Sequence, residues 1–77
     1  MNPETELDCR GQVCPLPVIA LARAVSEMAL GDVVAVVSTD PAAAADIPAW
    51  CRMKEQEFIG ADVADDGTPR FRVRRVS

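Results

Sequence analysis

The chain has 77 residues, about half of them apolar and a quarter charged, with three cysteines, no histidine and a net charge of −4. A chain of this length fits one compact domain, residues 1–77, because smaller pieces do not bury a core without disulfides or metals. The acidic balance excludes a surface built to displace counterions from nucleic acid, no apolar run is long enough for a membrane span, and the lack of histidine and of a C-x-x-C pair argues against a zinc site.

The opening M-N-P-E-T-E-L-D has neither the basic start nor the apolar stretch of an export signal, so the cytoplasm is the expected compartment. An odd number of cysteines in a reducing compartment is not a disulfide framework. Glu6-Leu7-Asp8-Cys9 reads as a short first strand, ended by Gly11. From Val18 the apolar positions Val18, Leu21, Ala22, Val25 and Met28 recur at helical spacing, with Arg23, Ser26 and Glu27 turned away. Gly31 is placed to close that helix.

Val33 to Val37 is an unbroken β-branched run and predicts a buried central strand. Pro41 and Ala42 to Ala45 open a second helix in which Asp46 serves as a cap, Pro48 sits in the first turn, and Ile47, Trp50, Cys51 and Lys54 share a face. Phe58 to Ala64 predicts a third strand and Arg70 to Val76 a fourth, joined through the Asp66-Gly67 pair of a tight turn. In the fourth strand Phe71 and Val73 alternate with Arg70, Arg72 and Arg74, so one side meets a core. The arginine side is read as the solvated face of the sheet rather than a dock for an acidic partner.

The order βαβαββ predicts an α/β (α+β) two-layer sandwich, with two helices on one face of a four-stranded mixed sheet and the other face open. Within it, C-R-G-Q-V-C-P-L-P-V (Cys9 to Val18) places a thiol directly before a proline. Pro15 suits the first helical position and Pro17 still falls in the first turn, which makes Cys14 the expected N-cap. There the positive end of the helix, with the amides of Leu16 and Val18 and the charge of Arg10, would stabilise a thiolate or a persulfide anion and depress the thiol pKa. Gly11 supplies the turn that leads into the cap. Cys51, on the apolar helix face, reads as a structural thiol; Cys9 is a possible second thiol that a loop through Gly11 could bring to Cys14.

L-D-C-R-G-Q-V-C-P-L-P-V (Leu7 to Val18), Gly31 before the valine strand, and D-P-A-A-A-A-D-I-P-A-W-C (Asp40 to Cys51) together resemble the TusA family of small sulfur-carrier proteins, also called SirA-like. The resemblance runs nearly end to end. It implies the same βαβαββ sandwich, no cofactor, and a sulfane sulfur carried as a persulfide on Cys14. It further implies a cysteine desulfurase or another sulfurtransferase as donor, and a downstream sulfur-accepting protein in tRNA thiolation, molybdenum cofactor formation or sulfur oxidation. Two departures stand out. Many relatives have a small residue other than cysteine where Cys9 stands, and many carry glycine followed by histidine or asparagine where this chain has Lys54-Glu55-Gln56-Glu57, a change expected to bear on partner preference.

In the relay so implied, Asp8 is a loop hydrogen-bonder and Asp46 a cap, because thiol exchange requires no dedicated base. Two rival readings fit the same residues. One is a noncatalytic binding module that uses the open sheet face; the other is a redox switch through a Cys9–Cys14 disulfide.

Overall fold

The six elements follow in the predicted order: β1 (Thr5–Cys9), α1 (Leu16–Glu27), β2 (Val33–Ser38), α2 (Ala43–Lys54), β3 (Glu57–Val63) and β4 (Pro69–Arg74). They are seen in a computed structural model that describes residues 4–77, so the Met1-Asn2-Pro3 start of the segment read for an export signal lies outside the described residues. The sheet order is β1-β2-β4-β3, with β1 parallel to β2 and the other two pairs antiparallel. Both helices pack on one face of this mixed sheet, α1 against β1 and β2, and α2 against β3 and β4. None of the described helices is long and apolar enough to cross a membrane.

Alternation places Val34 and Val36 of β2 beside Val73 and Phe71 of β4, beneath Leu21 and Val25 of α1 and Ile47, Trp50 and Cys51 of α2. Each fully buried aliphatic side chain in such a layer contributes about 1.5–3 kcal/mol. The helical face read from α1 is the one that packs: Leu21 and Val25 are buried, Val18, Ala22 and Met28 lie partly covered against the core, and Arg23, Ser26 and Glu27 face solvent.

The unbroken apolar run of β2 has a physical reason on the other sheet face. Ala35 and Val37 lie directly across from Arg72 and Arg70 and are buried there, because cross-strand neighbours share a face and the long arginine stems lie over the smaller residues. The guanidinium groups are held in place by carboxylates. Arg70 pairs with Asp62 at 2.8 Å and Glu6 at 3.4 Å, Arg72 with Asp62 and Glu4, both at 2.7 Å, and Arg74 with Glu57 at 3.0 Å. Two arginine partners hold the Asp62 carboxyl well below the usual carboxylate range. Exposed pairs of this kind add little stability singly, but through them each of the three arginines has a carboxylate partner within the same face.

Two sequence expectations are corrected. Gly31 does not close α1: the helix ends at Glu27, and Gly31 sits further on, donating its amide to Arg75 O at 2.7 Å. The closing group is the Arg75 side chain, which donates to Val25 O at 3.2 Å and Met28 O at 2.5 Å and sets a positive charge at the negative end of the helix. Asp46 does not cap α2, because the helix already begins at Ala43 and Asp46 lies inside its first turn. The 54–57 segment has structural tasks of its own: Glu55 adopts a left-handed conformation at the end of α2, and Gln56 Oε1 accepts the amides of Val76 at 2.9 Å and Ser77 at 3.3 Å.

Cys51 is 1% exposed, and burial pushes its thiol from 9.0 up to about 11. The unfolded chain therefore releases this proton first. Below about pH 9 both states keep it and the contribution to stability is intact; between about pH 9 and 11 the unfolded state is favoured and stability falls. Urea midpoints measured across that interval should decline, with a shallower decline in Cys51→Ala.

Candidate functional site

Of the three cysteines, Cys9 and Cys51 are buried and Cys14 is exposed. The loop that carries Cys14 leaves β1 through Gly11, whose φ of 79° lies in the left-handed region that glycine adopts without penalty. Its shape is set by the far end of β2. Gly11 donates its amide to Thr39 Oγ1 at 2.9 Å, and Cys14 donates its own to Asp40 Oδ2 at 2.6 Å. Asp40 Oδ1 accepts from Ala42 N at 3.0 Å, and the Asp40 amide donates to Ser38 Oγ at 3.2 Å. One carboxylate thus ties the cysteine loop to the start of α2.

Cys14 stands one residue further from α1 than expected. Pro15 is the N-cap, Leu16 the first helical residue and Pro17 the second. Leu16 donates its amide to Val13 O at 2.9 Å, closing a turn around Cys14 and Pro15. Pro15 and Pro17 have no N–H, and that of Leu16 is occupied, so of the usual first-turn donors only the Val18 amide is left to favour an anion. Arg10 does not supply the missing charge, since its guanidinium pairs with Asp66 at 3.0 Å and Asp8 at 3.1 Å. Asp8 does act as the expected loop hydrogen-bonder, accepting the Arg10 amide at 3.1 Å.

The groups that do reach the thiol are acidic. Hydrogen bonding to the Asp46 carboxylate, then partial desolvation, then the charges of Asp46 and Asp40 push the Cys14 thiol above its ordinary value, the reverse of the depressed pKa expected at a helix cap. Its rate of alkylation by iodoacetamide should accordingly rise with pH along a curve displaced upward from that of N-acetylcysteinamide, and Asp46→Asn should move the curve back down.

Around the sulfur, Pro15 and Val18 of the α1 start and Asp46, Ala49, Trp50 and Met53 of α2 line an open groove of about 310 Å³. Val13 is 67% exposed, Leu16 47% and Met53 69%, so apolar surface surrounds the cysteine. The α2 residues recur at three- and four-residue spacing, which puts them on one helix face. Cys9 is absent from this setting. It is 2% exposed, packed in the core at the end of β1 beside Ser38, with its thiol raised by burial and then by Asp8. All three thiols are unpaired, with Cys9 shielded in the core and Cys14 exposed.

The structure therefore brings together Cys14, Gly11, Pro15 and Pro17 and leaves Arg10 and Cys9 with other work. Sequence reasoning missed the roles of Asp40, Trp50 and Met53. An Asp-Pro at the end of a strand does signal a local turn, but nothing local announces a bond to a residue 26 positions earlier.

The chain matches the family model described as Sulfurtransferase TusA over residues 5–75 and belongs to that family. A protein of Archaeoglobus fulgidus named as a candidate sulfur carrier is 35% identical over 71 residues, covering 92% of each chain. The crystal structure of a SirA-like protein from Desulfitobacterium hafniense superposes with a TM-score of 0.81 at 23% identity, covering 95% of this chain and 99% of the other, which establishes the shared fold.

Proposed function

We propose that the protein is a sulfur carrier that accepts a sulfane sulfur on Cys14 as a persulfide and delivers it to an acceptor protein. The observation that carries this reading is that Cys14 is the one exposed thiol among the three, held at the mouth of an apolar groove. In loading, Cys14 gives its proton to solvent and its thiolate attacks the outer sulfur of a donor persulfide; the donor cysteine leaves as a thiolate, so one S–S bond forms as another breaks with no net oxidation. In delivery, an acceptor thiolate attacks the outer sulfur and Cys14 departs in its turn.

The raised thiol pKa supports a carrier more than a turnover catalyst. A thiol of higher pKa is a poorer leaving group, so the loaded sulfur is lost slowly to stray nucleophiles. The donor in this reading is a cysteine desulfurase or another sulfurtransferase, and the acceptor serves tRNA thiolation, molybdenum cofactor formation or sulfur oxidation. A binding module that uses the open sheet face is less well supported, because that face is already filled by the arginine–carboxylate pairs.

The test is transfer of labelled sulfur from cysteine, through a desulfurase, to an acceptor protein. Cys14→Ser should abolish it, whereas Cys9→Ala, if folded, should retain it. Transfer that survives Cys14→Ser would refute the proposal.

A further inference from the structure

The Cys14 groove has a charge pattern as well as an apolar lining. Asp46 is the one acidic residue among its lining residues, and Asp40 approaches from the adjoining loop, its carboxylate 2.6 Å from the Cys14 amide. No arginine or lysine pairs with Asp46 or Asp40 among the described residues. The eight basic side chains are placed elsewhere. Arg10, Arg70, Arg72 and Arg74 are held by other carboxylates, Arg75 closes α1, and Arg23, Arg52 and Lys54 lie outside the groove lining. An approaching chain thus meets apolar surface from Val13, Leu16 and Met53, with uncompensated negative charge beside the sulfur.

From this arrangement we infer that the groove takes a segment of a partner protein in which the sulfur-bearing cysteine is flanked by a lysine or arginine and by apolar side chains, the cation pairing with Asp46. The inference rests on the sulfur-carrier reading and names the chemistry of its partner. A second copy of this chain is a poor occupant, because the same groove would bring like charges together. The apolar neighbours supply contact area, and the cation supplies register and encounter rate. The same cation offsets the carboxylates that keep the thiol protonated, so docking itself favours the thiolate; in the undocked carrier, Cys14 stays guarded against small electrophiles.

Three short cysteine peptides activated as 2-thiopyridyl disulfides test this without any persulfide. One carries lysine and leucines, one glutamate and leucines, and one lysine and glycines. In each reaction Cys14 thiolate attacks the peptide sulfur, 2-thiopyridone leaves, and a mixed disulfide forms, with release of the pyridone giving the rate. At low salt the lysine–leucine peptide should react about tenfold faster than the glutamate–leucine peptide, relative to the same ratio for N-acetylcysteinamide. High salt should collapse most of that preference, and the lysine–glycine peptide should be slower than the lysine–leucine one.

Asp46→Asn should reduce the lysine-to-glutamate ratio by about threefold or more. Because any change in thiol pKa acts equally on both peptides, the ratio isolates the charge contact. The exposed control Glu27→Gln, at the far end of α1, should leave the ratio unchanged. Equal rates for lysine and glutamate peptides, a glutamate preference, or a ratio insensitive to Asp46→Asn would overturn the inference, as would self-association that shields Cys14 from all three peptides. Failure of sulfur loading by a desulfurase would instead strike the carrier reading and leave these ratios intact.

Discussion

Leu21→Ala should leave most of the protein unfolded at room temperature. Leu21 is 0% exposed and packs from α1 into the layer formed by the β2 valines and the α2 face. Truncating a leucine in such a site costs about 2–5 kcal/mol, the lost transfer energy plus the cavity left behind. A domain of this size holds only about 3–5 kcal/mol in total. Circular dichroism with urea titration should show little native baseline for the variant, while Ile19→Ala, two residues away but 47% exposed, should shift the midpoint only slightly. A cooperative Leu21→Ala transition near that of the parent would mean that the helix layer carries less of the stability than its burial implies.

The second large effect is expected at Asp40, where stability and presentation of the cysteine can be separated. Asp40→Ala removes the acceptor for both Ala42 N and Cys14 N. The loss of a helix-start acceptor and of a bond to a charged group should together cost about 2–3 kcal/mol. Asp40→Asn is more informative. Its single carbonyl oxygen can still accept the Ala42 amide and preserve the turn, but the NH₂ that replaces the second oxygen is a donor facing another donor at Cys14. Stability should fall by only about 1 kcal/mol, whereas sulfur transfer should slow by roughly ten- to hundredfold, because the nucleophile is no longer held in place. Equal transfer by Asp40→Asn and the parent protein would show that the loop holds Cys14 without this bond.

These two sites mark where reading from residues alone succeeds and where it ends. The α1 face, the β2 run and the Asp66-Gly67 turn are local patterns, and each forms where its pattern places it: Gly67 has a φ of 86°, and Ala64 N donates to Thr68 O at 2.8 Å across the turn. The second face of β2 could not be read, because Ala35 and Val37 lie across from Arg72 and Arg70 of a strand far along the chain. The end of α1 was hidden for the same reason: Gly31 offers a familiar local stop, yet the capping charge arrives from Arg75, 47 residues after Met28.

At the site itself, the C-P-L-P spacing identified the cysteine but not its electrostatics. A start at Pro15 and a start at Leu16 are both compatible with two prolines in three residues, and the one-residue difference moves the sulfur off the cap. Asp46 was legible as a residue near a helix start, though not as a neighbour of Cys14, because α1 and α2 meet only in the folded chain. The result is a thiol set by two carboxylates, where the local pattern predicted one set by a helix terminus.

The most direct measurement is mass mapping of the protein after incubation with a cysteine desulfurase and cysteine, followed by alkylation and tryptic cleavage. Cleavage after Arg10, Arg23 and Arg52 isolates Cys9, Cys14 and Cys51 in separate fragments, 1–10, 11–23 and 24–52. One added sulfur should appear on fragment 11–23 and vanish in Cys14→Ser. Added sulfur on fragment 1–10, or no added sulfur on any fragment while the desulfurase is demonstrably active, would contradict it.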